Sequence, residues 1–129
     1  TDEDDVTIVA AGITLHEALS AAQALADEGI SARVVDCYSV KPIDTAGLSA
    51  AAEATGAILT VEDHWPEGGL GEAVLAALAT LDERPKVEIL AVTGMPGSGK
   101  PAELLAAAGI DAEHIADSAR KMVRAAALR

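Results

Sequence analysis

The sequence predicts an α/β fold in which helices cover both faces of a mainly parallel sheet, giving three layers, with four strands in the order 2-1-3-4. Two observations lead to this prediction. Short continuous apolar runs, typical of strands buried on both faces, alternate with amphipathic runs of helical length. This alternation indicates parallel strands joined by helical crossovers. Because such crossovers are right-handed, few strand orders remain, and 2-1-3-4 is the most economical.

The first strand and helix come after an acidic start. A strand is predicted over residues 6–11, where the run VTIVAA is continuously apolar. Thr14 and Glu17 have the spacing of a capping box, so we expect them to begin the first helix. Gly29 is expected to end that helix, because glycine accepts the left-handed conformation that often follows a last helical turn.

The second and third units repeat this order. A second strand is predicted over residues 32–37, followed by a helix between Asp44, as the N-cap, and Gly56, as the stop. A third strand is predicted over residues 57–62. The helix after it carries an apolar face formed by Leu70, Val74, Leu78 and Leu81.

The last part of the chain predicts one more strand and two helices. The fourth strand is expected over residues 87–92, and a short helix over residues 101–108 begins with a proline, which suits a first helical position. A final helix is expected over residues 111–127. Its buried stripe is predicted to consist of Ile115, Ala119, Met122, Val123 and Ala126.

Length and composition limit the functional classes. The 129 residues suit a single domain over residues 1–129, with residues 1–5 as an acidic disordered end. The formal net charge of -12 argues against nucleic acid as a partner, because such binding draws on basic residues. The single cysteine, Cys37, excludes an internal disulfide, and no apolar run is long enough for a membrane span. We therefore expect a soluble cytoplasmic protein without nucleic-acid or membrane partners.

The position at which the fold predicts a ligand is the switch point of the sheet, between the carboxyl ends of the first and third strands. Two loops meet there, and they contain Gly12, Thr14, Glu62, Asp63, His64 and Trp65. Adjacent carboxylates beside a histidine are able to support acid-base chemistry, because clustered charges shift one another's pKa. The simpler interpretation is a polar strand end, with Asp63 or Glu67 capping the next element of the chain.

Glycines and one aromatic residue characterise the rest of this loop. Gly68, Gly69 and Gly71 permit close approach of the backbone at the start of the next helix, either to a ligand or to another chain. Trp65, the single tryptophan of the sequence, suits an interface anchor.

A second loop has the spacing of a phosphate-binding loop. Gly94, Gly99 and Lys100 satisfy G-x-x-x-x-G-K between a predicted strand and a predicted helix. A nucleotide site of this kind needs a hydroxyl after the lysine to hold Mg²⁺, and Pro101 has none, so ATP or GTP binding is disfavoured. The remaining alternative is a single anion, held by Lys100 and by the amides of Gly97, Ser98 and Gly99.

The sequence predicts neither a metal site nor a hydrolytic centre. His16, His64 and His114 lie on different predicted elements, and no C-x-x-C or H-x-x-x-H pair occurs. A G-x-S-x-G elbow is absent as well. We therefore assign no catalytic, cofactor-binding or metal-binding residue, and we treat the two loops as candidates for an interface or an anion site.

Three segments together resemble the C-terminal domain of transketolases, particularly the animal type and the type found in two-subunit microbial enzymes. They are VTIVAAGITLHEALSAAQALADEGISARVVDCYSVKPID, ILTVEDHWPEGGLGEAV and SGKPAELLAAAGIDAEHIA, and the resemblance covers residues 6–122. Related domains of 2-oxo-acid dehydrogenase beta subunits and deoxyxylulose-phosphate synthases lack the SGKP-x-ELL piece. Transketolase is therefore favoured, with those relatives and a small-anion or effector-binding module as the alternatives.

The resemblance implies a non-catalytic domain. Transketolase transfers a two-carbon ketol unit between sugar phosphates with thiamine diphosphate and Mg²⁺, which two other domains bind. The third domain helps to form the dimer, lies near the substrate entrance and has been suggested as a regulatory site. This chain is then expected to bind no cofactor and to be inactive alone. Its expected partners are the thiamine-binding domains, in the same chain or a separate subunit, within a homo-oligomer that it contacts through residues 62–71.

Two features depart from the family pattern. The family commonly has a basic residue at the position of Gly97, which puts an anion-binding role in doubt. The family fold also has an antiparallel strand ahead of the first strand predicted here. We therefore expect either a piece of a longer polypeptide or an open sheet edge at residues 32–37, and an exposed edge invites pairing with another chain.

Overall fold

The computed structural model describes residues 3–128, in which short strands alternate with helices. In chain order the elements are β1 (Val6–Ala10), α1 (Ile13–Asp27), β2 (Ala32–Asp36), α2 (Thr45–Thr55), β3 (Ala57–Val61), α3 (Leu70–Ala77), β4 (Lys86–Leu90), α4 (Pro101–Ala108) and α5 (Ala112–Ala127). Each predicted element is present, and each strand ends one or two residues earlier than expected. Helix α3 is shorter than its predicted apolar face, because it ends at Ala77, with Leu78 as the C-cap and Leu81 beyond the helix. None of these helices has the length and apolar character that a membrane span requires.

The strands of the described residues form one sheet in which every pairing is parallel, in the order β2-β1-β3-β4. The register places Val9 opposite Val35 on one side and opposite Thr60 on the other. The central strands β1 and β3 are buried along their whole length, whereas the edge strands β2 and β4 are mostly half-buried. The predicted strand order and direction are confirmed.

Alternation of side chains along the central strands produces two cores. Ile8 and Leu59 pack with residues of α1 and α5, whereas Val9 and Ile58 pack with residues of α2 and α3. Because successive side chains of a strand point to opposite faces, one strand serves both cores. The predicted three-layer arrangement is therefore confirmed.

Cys37 lies in the second core, where burial, with smaller effects of two nearby aspartates, raises the pKa of its thiol.

The first helix begins differently from the prediction, and the predicted capping box is wrong. Gly12 is the N-cap, with a φ of 61°, and no side chain caps the helix. The Thr14 hydroxyl instead lies 3.0 Å from the carbonyl oxygen of Val61, at the end of β3. The Glu17 carboxylate accepts a hydrogen bond from the Ala112 amide, 2.8 Å away at the start of α5. Both side chains thus have partners on distant elements, which local spacing cannot reveal.

The predicted ends of the second helix are confirmed. The Asp44 carboxylate accepts a hydrogen bond from the Gly47 amide at 2.9 Å and so caps α2. Gly56 follows the last turn in the left-handed conformation, with a φ of 64°. Pro101 is the first residue of α4, also as predicted.

The predicted buried stripe of α5 is confirmed in part. Ile115, Ala119 and Met122 are buried, and Val123 is half-buried. Ala126 is exposed, so its assignment to the stripe is wrong. The reason is that residues 124–128 are all exposed or half-buried, which shows that the last turn of α5 extends beyond the core.

The acidic start of the described chain contacts the connection between α1 and β2. The Asp5 carboxylate accepts a hydrogen bond from the Ser31 amide at 2.8 Å, and the Asp4 carboxylate accepts one from the Ser31 hydroxyl at 2.7 Å. Asp4 also pairs with Arg33 of β2 at 3.1 Å. The predicted disordered end includes residues 1 and 2, which lie outside the described residues.

Candidate functional site

The loops that follow β1, β3 and β4 converge at the carboxyl end of the parallel sheet. The Thr14 hydroxyl ties the loop after β1 to the end of β3. The pairing of β3 with β4 also continues past both strands, since the Glu62 amide donates to the Leu90 carbonyl and the Val92 amide donates to the His64 carbonyl, each at 3.0 Å. The first residues of the β3–α3 loop therefore have a fixed backbone.

Glu62 is a buried charged residue of this loop, with 2% of its surface exposed. Its side chain lies against the first turn of α3, where Oε2 accepts a hydrogen bond from the Gly71 amide at 2.5 Å. The other oxygen, Oε1, has no hydrogen-bond partner among the described residues and lies 3.7 Å from His64 Nδ1. The carboxylate therefore caps α3 at the positive end of the helix dipole.

Burial has the largest effect on the protonation of Glu62. Loss of hydration raises the pKa of Glu62 above its ordinary value, because a charged carboxylate is disfavoured away from water. The Gly71 hydrogen bond and the nearby His64 lower the pKa, whereas the charge of Glu72 raises it further. Burial outweighs the lowering contributions, so the folded chain holds this proton more tightly than the unfolded chain does.

Two glycines of the loop are explained by packing within the chain. A Cβ added at Gly69 would collide with the Glu62 carboxylate and would lie 2.7 Å from His64 Cε1. A Cβ added at Gly71 would lie 2.6 Å from Cδ1 of Ile89, which belongs to β4. The groups that approach these two glycines belong to this chain, whereas the approach of a ligand or of another chain stays a prediction.

The middle of the loop is exposed. The side chain of His64 is 52% exposed, and Trp65 is 49% exposed. His64 Nδ1 lies 3.1 Å from the carbonyl oxygen of Trp65. Gly68, with a φ of 71°, turns the chain back towards α3, and its amide donates to Glu72 Oε2 at 2.7 Å. The loop thus presents an imidazole and an indole from a backbone that is fixed at both ends.

The carboxylates predicted as an acid-base cluster lie in different environments. Glu62 is enclosed against α3, whereas Asp63 is exposed and lines a separate cavity. Glu62 is also the carboxylate that accepts a hydrogen bond from an amide of α3, whereas Asp63 or Glu67 was expected in this role. A reactant would therefore reach Asp63 and His64 and not Glu62. The use of this loop as an interface stays a prediction.

The segment with phosphate-loop spacing has no regular secondary structure, and Lys100 is the N-cap of α4. Glu103 Oε2 accepts a hydrogen bond from the Lys100 amide at 3.0 Å. A carboxylate therefore already occupies the helix N-terminus that would otherwise attract an anion. Ser98, Gly99 and Lys100 are all exposed. Anion binding by these residues stays a prediction, and both Glu103 and the net charge of -12 oppose it.

A cavity of about 510 Å³ lies between this segment and α4. We call it the α4 groove and define it by six of its lining residues: Ile13, Asp63, Met95, Pro96, Leu104 and Leu105. The groove was not predicted from the sequence, because the phosphate-like spacing of this segment does not indicate an apolar cavity. The available signals were a methionine between Gly94 and Pro96 and a pair of leucines on a short helix.

The histidines of the sequence lie on separate elements. His16 belongs to α1, and His114 belongs to α5, where its Nδ1 lies 2.5 Å from Asp111 Oδ1. Within residues 3–128, no group of three His, Cys, Asp or Glu side chains is arranged to hold a metal ion.

Comparison with protein families gives a match over most of the chain. The family model described as "Transketolase, C-terminal domain" matches residues 1–115. The resemblance observed in the sequence is therefore confirmed.

Individual relatives agree with this match. The chain is 55% identical over 113 residues to transketolase-like protein 1 of Bos taurus, a match that covers 87% of this chain and 19% of that protein. It is 49% identical over 124 residues to transketolase of Mus musculus, covering 94% of this chain and 19% of that protein. A solved structure described as "Split gene transketolase, inactive beta4 tetramer" is 40% identical with a TM-score of 0.84, covering 94% of this chain and 39% of that chain. The chain thus spans about a fifth of the length of these curated relatives.

Gly71→Ala is expected to lower the free energy of unfolding by about 1–3 kcal/mol, because the added methyl group overlaps Ile89. Urea unfolding provides the measurement. Gly97→Ala is the matched control, since nothing lies within 4 Å of the added carbon, and its effect should stay below about 0.5 kcal/mol. The cost of Gly71→Ala should shrink in an Ile89→Ala background. An equal cost in both backgrounds contradicts this explanation.

Glu62→Gln is expected to remove a decline in stability with rising pH. Because the pKa of Glu62 is raised in the fold, the native state binds more protons than the unfolded state between the ordinary glutamate value, about 4.3, and the raised value. The contribution of Glu62 is therefore fully present below this window and is lost as pH rises through it. Glutamine does not ionise, so the free energy of unfolding of the wild type minus that of the variant should fall with pH.

The pH experiment has a matched control in Glu67→Gln, which makes the same chemical change at an exposed residue of the same loop. Urea unfolding of the wild type and of both variants between about pH 4 and about pH 7 gives each free energy of unfolding as a function of pH. The difference between the wild type and Glu62→Gln should change more steeply with pH than the difference between the wild type and Glu67→Gln. A Glu62→Gln difference that stays flat or rises with pH is incompatible with a raised pKa.

Proposed function

The chain belongs to the transketolase family through its C-terminal domain, and we propose that it is a non-catalytic domain whose surface joins parts of the enzyme. Transketolases are thiamine diphosphate enzymes. We place thiamine diphosphate and Mg²⁺ outside this chain, in domains of the same polypeptide or of a separate subunit. The complete enzyme then transfers a two-carbon ketol unit between sugar phosphates. The 19% share of the curated relatives' length supports a division of labour of this kind.

The loop over residues 62–71 is the observation that carries this proposal. Its backbone is fixed by the pairing with β4 and by the Glu62 carboxylate, while His64 and Trp65 are about half exposed. An indole on a fixed backbone loses little conformational entropy when a partner covers it. Aromatic residues of this kind are enriched among the residues that dominate interfaces. Trp65 is therefore the proposed anchor of a dimer or interdomain contact.

A solved relative supports association between copies. The split gene transketolase that shares this fold is described as an inactive beta4 tetramer. That protein is tetrameric without being active, which agrees with a domain that contributes to assembly. For this chain we propose a homo-oligomer that also includes the thiamine-binding domains.

The test uses a full-length chimera in which this chain replaces the matching part of Mus musculus transketolase. The isolated chain is expected to show no turnover with xylulose 5-phosphate, ribose 5-phosphate, thiamine diphosphate and Mg²⁺, whereas the chimera turns over. In the chimera, Trp65→Ala is expected to weaken subunit association at least about tenfold, because loss of an aromatic anchor costs roughly 2 kcal/mol or more. Sedimentation over a dilution series measures the association.

The control for this experiment is Leu19→Ala, which truncates an exposed apolar side chain on α1. It should leave the association constant within about twofold of the unchanged chimera, because isolated surface residues contribute little. Turnover by the isolated chain, or association that Trp65→Ala does not weaken, contradicts the proposed function.

A further inference from the structure

Helix α4 is the least covered helix among the described residues. None of its residues is buried, whereas each of the other four helices has at least three buried residues. Eight residues are too few for an isolated helix to be stable in water, so packing must hold it in place. Leu105 and Ala108 pack against the first core, and Leu104 is half-buried against the α4 groove. One apolar side of this helix is therefore incompletely covered.

The α4 groove exposes large apolar side chains together. Met95 is 90% exposed and Ile13 is 45% exposed, and both line the groove with Leu104. Contiguous apolar surface of this kind marks interaction sites on soluble proteins. Methionine suits such a site because its flexible, unbranched side chain adapts to the shape of a partner. The groove is thus suited to an apolar occupant.

Asp63 gives the groove a negative charge. It is the only charged side chain among the lining residues, it is exposed, and no ion pair involves it within residues 3–128. A lysine or arginine complements this arrangement, since its alkyl stem contacts apolar surface while its charged head reaches a carboxylate. The net charge of -12 also attracts a basic partner.

We propose that the α4 groove binds an apolar segment that carries a lysine or arginine and that belongs to the thiamine-binding part of the same enzyme. A protein segment is favoured over a free small molecule because Asp63, which lines the groove, lies two residues from Trp65, the proposed anchor of an interdomain contact. Most of the enzyme also lies outside this chain, given the 19% share of the relatives' length. This inference rests on the proposed function and adds the chemistry of the partner to it.

The two methionines of the sequence provide the test, because oxidation of methionine by peroxide follows its exposure. Met95 is exposed and Met122 is fully buried, so Met95 is expected to oxidise fast and Met122 slowly in the isolated chain. In the full-length chimera with Mus musculus transketolase, Met95 oxidation is expected to slow at least about fivefold, because the partner segment covers it. Peptide mass spectrometry measures both rates.

The charge of the partner is tested in the same chimera with Asp63→Lys. A lysine at this position repels a basic segment, so the rate of Met95 oxidation is expected to return to within about twofold of the rate in the isolated chain. Asp82→Lys is the matched control, because it makes the same substitution at an exposed residue that lies outside both the groove and the loop over residues 62–71. It should leave Met95 protected.

The outcomes separate this inference from the proposed function. Equal rates of Met95 oxidation in the isolated chain and in an assembled, active chimera overturn the inference and leave the proposed function intact. A chimera that neither assembles nor turns over contradicts both. Protection of Met95 that grows with the concentration of the isolated chain assigns the groove to a second copy. That assignment overturns the inference, as does protection in the chimera that Asp63→Lys leaves unchanged.

Discussion

The buried carboxylate of Glu62 determines the arrangement of the carboxyl end of the sheet, because it joins the end of β3 to the first turn of α3. The carboxylate accepts a hydrogen bond from the Gly71 amide, and the absence of a side chain at Gly69 leaves room for the carboxylate. The absence of a side chain at Gly71 in turn lets α3 approach Ile89 of β4. The loop between β3 and α3 therefore has both ends fixed. Its indole and imidazole are exposed on a backbone that is already ordered.

On one face of the sheet the helices are joined by hydrogen bonds, whereas the carboxyl end of the sheet exposes apolar side chains. On the face covered by α1 and α5, the Glu17 carboxylate accepts a hydrogen bond from the Ala112 amide at 2.8 Å. The Arg120 guanidinium donates two hydrogen bonds to the Glu28 carboxylate, each at 2.8 Å. These hydrogen bonds hold the two helices together on one face of the sheet. At the carboxyl end, by contrast, Trp65 and the apolar α4 groove are exposed. This asymmetry agrees with the proposed contact between the carboxyl end of the sheet and other parts of the enzyme.

The parts of the fold that were predictable from the sequence are those whose signals are local. Continuous apolar runs identified the central strands, and the alternation with helices gave the strand order. Prediction failed where the deciding partner lies far along the chain, as for Thr14 and Glu17, which have capping-box spacing and yet bond to distant elements. Glu62 was interpreted through its sequence neighbours, whereas its partner Gly71 lies nine residues further on. The exposure of Met95 depends on where α4 packs, so the groove required the structure.

Amide hydrogen exchange on the wild type and on Glu62→Ala tests most directly whether this carboxylate orders the loop. In the wild type the Gly71 amide should be protected. In the variant it should lose at least about tenfold in protection, because removing a buried acceptor leaves its donor unsatisfied at a cost of about 1–3 kcal/mol, while the amides of β1 and β3 keep their protection. Unchanged protection at Gly71, or an equal loss in the central strands, would contradict a local role for Glu62.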